Sequence, residues 1–162
     1  MNFNFKSKKV WLIGGGVILG LLALNRLRII NNPEWLYKQG EKALQSQDYA
    51  RAKQYCTKAA QRNKQYLDAW ECQAKALDLL QEYPATLIAY EEILKIVPKN
   101  LEAKIKKGEI LLKLAEPEKA LEEFKQAVKV NENSAQAWRG VGDALKALGD
   151  EQAKKDFAAA ME

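Results

Sequence analysis

The chain has 162 residues, a formal net charge of +5 and no histidine. The excess charge belongs to residues 1–32, where Lys6, Lys8, Lys9, Arg26 and Arg28 meet no acid, while bases and acids balance over residues 33–162. A neutral body excludes the basic stripe of a nucleic-acid-binding domain. The missing histidines exclude His-dependent triads and proton shuttles, and two cysteines, Cys56 and Cys72, are too few for a zinc site.

Residues 10–24, VWLIGGGVILGLLAL, are uncharged, with lysines before them and Arg26 and Arg28 after them. If the arginines snorkel, the apolar stretch over about 10–30 is long enough for a transmembrane helix. Trp11 sits near one end, where an interfacial aromatic is expected. The expectation is an uncleaved single-pass anchor. A cleaved signal peptide is the alternative, but Leu21 with Ala23 makes a poor cleavage pair, and the run Gly14-Gly15-Gly16 weakens a buried core helix. The charge bias mildly favours the N-terminus in the cytoplasm, and Gly16 with Gly20 forms a small-xxx-small pair that would let two anchors associate weakly. Residues 25–32 read as a short linker that would hold the following domain near the bilayer.

From residue 33 the chain repeats with a period of 34, in copies 33–66, 67–100, 101–134 and 135–162. The framing aligns Gly40, Ala74, Gly108 and Gly142 at the eighth position and Ala52, Thr86 and Ala120 at the twentieth. Cys56, Tyr90 and Phe124 share the twenty-fourth, and Ala59, Ile93 and Ala127 the twenty-seventh. Each copy reads as two helices. Asn32 caps the first helix, and Pro33 suits its first position. That helix runs to about Gln45, and Asp48 caps the second. In copy two, Leu67, Trp70, Ala74 and Leu77 share one face. Pro84 opens the second helix and Pro98 lies past its end. Copy three starts after Asn100 and turns at Glu116-Pro117. Copy four carries Trp138, Val141, Gly142 and Leu145, and turns at Leu148-Gly149-Asp150. Small residues at eight, twenty and twenty-seven let two antiparallel helices approach, and large ones at four, eleven and twenty-four fill the crossing. One hairpin cannot bury its apolar face alone, but a stack can.

These residues resemble the tetratricopeptide repeat family. Trp138, Val141-Gly142 and Leu145 match the first half of its signature. Ala120 with Phe124, Ala153 with Phe157, and Pro98 match the second. The departures are Thr86 for Ala, Cys56 for the aromatic, Lys104 for Trp and Glu132 for Pro. The resemblance implies an all-α, right-handed superhelical solenoid of stacked hairpins. It implies a concave groove that binds peptides or partner helices, and no catalysis or cofactor. Residues 151–162 are then expected to cap the stack.

In the family, first-helix positions two, five, nine and twelve line the groove. Here they are Glu34, Tyr37, Glu41 and Leu44; Asp68, Glu71, Lys75 and Asp78; Glu102, Ile105, Glu109 and Leu112; and Gln136, Arg139, Asp143 and Lys146. Acids outnumber bases, so the expected partner is a basic or mixed-charge segment, with Tyr37, Leu44, Ile105 and Leu112 as apolar anchors. The competing interpretation is a set of solvated helix faces. The family's carboxylate clamp for chaperone tails is excluded: of Tyr37, Glu41, Cys72, Glu102 and Lys106 only Lys106 is of the required type, and the next frame, Glu71, Lys75, Lys106, Gln136 and Gly140, offers none.

Cys56 occupies a core slot and Cys72 the sixth position of a first helix, so the two are expected on different faces and unbridged. With no phosphate loop, nucleophile elbow or metal cluster, the chain is not expected to be an enzyme. The functional expectation is a membrane-anchored protein–protein scaffold assisting assembly or stability of a membrane complex. Photosystem-assembly and envelope-biogenesis factors are similar in layout. The alternatives are a receptor recruiting a soluble protein to the membrane and a structural homodimer without a groove ligand.

Overall fold

The computed structural model describes residues 31–149. Over that range the chain forms seven helices: α1 (Pro33–Gln45), α2 (Tyr49–Arg62), α3 (Leu67–Leu79), α4 (Tyr83–Ile96), α5 (Leu101–Lys113), α6 (Pro117–Val130) and α7 (Ala135–Leu148). Each helix packs on the next, so the hairpins α1–α2, α3–α4 and α5–α6 stack in sequence, with α7 against α6.

The helix ends follow from the residues that cap them. The Asn32 side chain accepts from the Glu34 and Trp35 amides, Asp48 from Arg51, Asn100 from Ala103 and Ser134 from Ala137. Inside each of the three hairpins the chain reverses through a left-handed residue at the fifteenth position, Gln47 (φ 60°), Gln81 (φ 59°) and Ala115 (φ 57°), and Gly149 (φ 70°) holds the same position after α7. In the first three turns two amides bond back, for example Ala115 to Leu112 at 3.0 Å and Glu116 to Leu111 at 2.9 Å, which closes the last turn of the helix. Only the last copy has glycine there. Replacing Ala115 by Gly removes the left-handed penalty and is expected to raise stability by about 1 kcal/mol, and Gly149→Ala to lower it by about as much, in urea titrations.

The repeated small and large positions form the core. Ala52, Thr86, Ala120, Cys56, Ala59 and Ala127 are fully buried, and Ile93 and Phe124 nearly so. Thr86 is harmless in an alanine slot because its hydroxyl donates to the Glu82 carbonyl at 3.0 Å. The tryptophans at the fourth position do more than fill space. Trp70 donates its indole N–H to the Lys64 carbonyl at 3.0 Å, and Trp138 to that of Glu132 at 2.7 Å. Both carbonyls lie in the turn that precedes the helix, so each indole ties a repeat to the turn leading into it.

The expected transmembrane helix is corrected. No helix among the described residues is long and apolar enough to cross a membrane. The stretch 10–30, with Gly16 and Gly20, lies outside the described residues. The described fold is the helical solenoid, and nothing in it supports the single-pass localisation, the membrane contact or the anchor-mediated dimer. The expected cap at 151–162 also lies outside the described residues.

A second correction concerns the cysteines. Cys56 and Cys72 form a disulfide, with their Cα atoms 5.7 Å apart. The expectation of different faces considered each helix alone. The twenty-fourth position of one copy faces the sixth position of the next, because the second helix of a hairpin lies against the first helix of its neighbour. Phe124 and Gly140 stand in the same relation one junction later, and the Phe124 ring packs over Gly140.

Candidate partner-binding groove

The three junctions between repeats share one slot and fill it differently. Between repeats one and two it holds the Cys56–Cys72 bridge over Gly40. Between three and four the Phe124 ring lies between Gly108 and Gly140. In both places a small sixth residue lets first helices meet, and α1 contacts α3 as α5 contacts α7. Between repeats two and three the slot residues are Tyr90 and Lys106, both large. There no Cα pair of α3 and α5 lies within 8 Å. This is the one junction of the three at which the sixth residue is large, and there the first helices stay apart.

The opening is a cavity of about 510 Å³. Eight of the groove residues expected from position line it: Tyr37, Glu41, Leu44, Asp68, Glu71, Lys75, Asp78 and Glu102. Positional reasoning missed Tyr90, Lys106 and Cys72, which also line it. Two large residues at positions six and twenty-four were the available signal. Glu34, Glu109, Leu112, Arg139 and Asp143 lie elsewhere. Glu34, Arg139 and Asp143 are exposed, and Leu112 packs against the core around Phe124. Ile105, expected as an apolar anchor, is buried in that core and offers a ligand nothing.

The cavity is acidic and its walls are apolar. Lys113, from the far end of α5, pairs with Asp78 at 2.7 Å and lies over the Tyr83 ring at 5.0 Å. Glu109 pairs with Lys106 at 2.9 Å and accepts from Gln136 at 3.2 Å. The Tyr37 hydroxyl donates to Glu41, and its ionisation is pushed well up by burial, by that bond and by the charges of Glu41 and Asp68. Tyr90 is pushed up likewise, by burial and then by Asp78, Glu102, Glu109 and Glu71. Both phenols therefore stay neutral donors. The Glu71 carboxyl is raised by burial first and then by Asp68 and Glu102. Five carboxylates share this space with Lys75 and Lys106, so negative charge is crowded there. Among the described residues no group of three or more His, Cys, Asp or Glu side chains is placed to hold a metal ion.

A family model described as a tetratricopeptide repeat matches residues 37–100 and 105–160. No curated protein matches the chain. Among solved structures, a MamA crystal structure superposes with a TM-score of 0.75 at 17% identity, covering 99% of this chain and 94% of the chain in that structure. The Arabidopsis OM64 TPR domain gives 0.64 at 18% identity, covering 70% of this chain and 94% of the domain. The first TPR of Spaghetti (RPAP3), bound to the HSP90 peptide SRMEEVD, gives 0.67 at 16% identity, covering 74% of this chain and 94% of that one. At these identities the likeness is one of fold. With the family model spanning most of its length, the chain belongs to the tetratricopeptide repeat family.

Proposed function

We propose that the protein is a protein–protein interaction scaffold whose concave groove grips a basic or mixed-charge segment that also carries apolar side chains. The observation that supports this reading most is the cavity at the junction of repeats two and three. Glu41, Asp68, Glu71, Asp78 and Glu102 surround it, and Tyr37, Leu44, Leu79 and Tyr90 supply its apolar walls. The Glu71 carboxyl is held up by burial first and then by repulsion from Asp68 and Glu102, and a cation entering there relieves that repulsion. An acidic ligand meets that repulsion instead. The peptide in the Spaghetti complex, SRMEEVD, carries three acids, and this groove is the wrong sign for such a tail. The membrane-anchored form of this role is not carried forward, for the reason given with the fold.

The test uses a fluorescein-labelled helical peptide of lysine and leucine, with a glutamate–leucine peptide as control. Fluorescence anisotropy should show binding of the first only, weakened by salt. Glu41→Lys/Glu71→Lys/Glu102→Lys should weaken it by at least about tenfold, given the coupling energies of close charge pairs. Unchanged binding by this variant would overturn the assignment.

The affinity should also depend on pH. The Glu71 carboxyl is raised in the free protein, and a bound cation favours its charged form, so binding releases a proton. Affinity therefore falls as pH drops through the raised value. In the free protein the sign is opposite: the stability Glu71 contributes is present below its unfolded value and is lost as pH rises through the folded one.

A further inference from the structure

We propose that the Cys56–Cys72 disulfide is a redox latch on the groove, opened by a dithiol reductant that attacks from the groove side. This rests on the groove reading above. Cys72 lines the acidic cavity, whereas Cys56 is fully buried beneath it. Cys72 is 5% exposed and Cys56 not at all, so the cavity is the side from which the bridge can be reached.

Its place in the stack gives it leverage. The fully buried residues at the junction of repeats one and two are otherwise largely alanine, Ala59, Ala60 and Ala69 with Leu36 at one end and Ala43, Ala52 and Ala76 at the other, with half-buried aromatics such as Trp35, Tyr55 and Trp70 packed around the first group. The aromatic plug that locks the junction of repeats three and four is absent, and the bridge occupies its slot. The bridge joins α2 to α3, and α1 lies against both, so it sets where Tyr37, Glu41 and Leu44 stand relative to Asp68, Glu71 and Lys75. Two thiols cannot share the space of a bonded pair. Gly40 closes the third side so tightly that its missing Cβ would overlap Cys56 Sγ. Reduction therefore lets repeat one shift on repeat two and spreads the half of the groove that α1 supplies.

The exchange balances as follows. A thiolate of the dithiol attacks Cys72 Sγ, the intramolecular S–S bond breaks, and Cys56 leaves as a thiolate and takes a proton. The second thiolate of the reductant attacks the mixed disulfide and releases Cys72, which takes the second proton. The dithiol leaves as a disulfide, having given two electrons. A ligand in the groove covers Cys72, so occupancy and reduction oppose each other.

The full chain purified without reductant and then denatured should show no free thiol, and two free thiols would overturn the proposal. Reduction by dithiothreitol, confirmed by thiol count, should weaken binding of the lysine–leucine peptide by roughly tenfold, within the usual range of coupling between sites. Cys56→Ala/Cys72→Ala should bind like the reduced protein. Cys56→Phe/Cys72→Gly copies the Phe124–Gly140 slot, and its affinity should not change when dithiothreitol is added. Unchanged wild-type affinity after confirmed reduction would overturn the latch. If the oxidised protein binds no peptide, the groove reading fails separately. Amide exchange then decides the latch: faster exchange in α1 and α3 on reduction supports it, and unchanged exchange overturns it.

Discussion

Replacing Phe124 by Ala should lower stability by about 3–5 kcal/mol, toward the upper end of that range for buried aromatics. Phe124 is only 1% exposed, and its ring is flanked by Gly108 and Gly140. A cavity costs least where neighbours collapse into it. Here two of the walls are glycine backbone, and the others are side chains already fixed in the core around Ala127, Val141 and Leu145. The loss is comparable with the whole stability of a small domain. Urea unfolding followed by circular dichroism measures it. A loss below about 1 kcal/mol would mean that the ring is not the element that locks the last junction. A reduced slope of the transition, with or without a midpoint shift, would mean that repeat four has uncoupled from the rest.

The opposite change to the same slot should also be costly. A Cβ added at Gly108 would stand 2.7 Å from two ring carbons of Phe124, and one added at Gly140 would overlap the ring further. Gly140→Ala should cost about 1–3 kcal/mol, the usual range for overpacking, despite the better helix propensity of alanine. Because the clash is with one ring, it should be removable. In Phe124→Leu/Gly140→Ala the two losses should sum to more than the measured total, with a coupling of about 1 kcal/mol. Strict additivity in this cycle would show that the ring is not what Gly140 accommodates. Gly149 gives a contrast, since a Cβ there meets nothing within 4 Å and only its positive φ resists substitution.

The period made most of this legible. Aligned copies placed Ala52, Thr86 and Ala120 in the core before any coordinates, and the caps Asn32, Asp48 and Asn100 marked helix starts that the structure reproduces. What escaped were relations between copies. Cys56 to Cys72 spans a separation of 16, as does Phe124 to Gly140, so the pairing was recoverable by comparing junctions and not by considering each helix alone. The fate of Ile105 depended on which neighbour it met, a tertiary fact that positional counting does not hold. The left-handed residues Gln47, Gln81 and Ala115 gave no local sign, because only Gly149 carries the residue type that the conformation favours. The N-terminal span was the reverse case. An apolar stretch bounded by charges met a length criterion, and among the described residues no helix fulfils it.

The two indole bonds have an optical consequence. Trp35 and Trp70 belong to the first two repeats and Trp138 to the fourth, while the third carries Lys104 where a tryptophan would stand. Trp70 and Trp138 each have their N–H held by a carbonyl of the preceding turn, at Lys64 and Glu132. Emission from either shifts when that one junction loosens. With Trp11 replaced by Phe, single-tryptophan versions of the protein therefore report the two ends of the stack separately. Fluorescence can then distinguish a scaffold that melts as one body from one that unzips from an end.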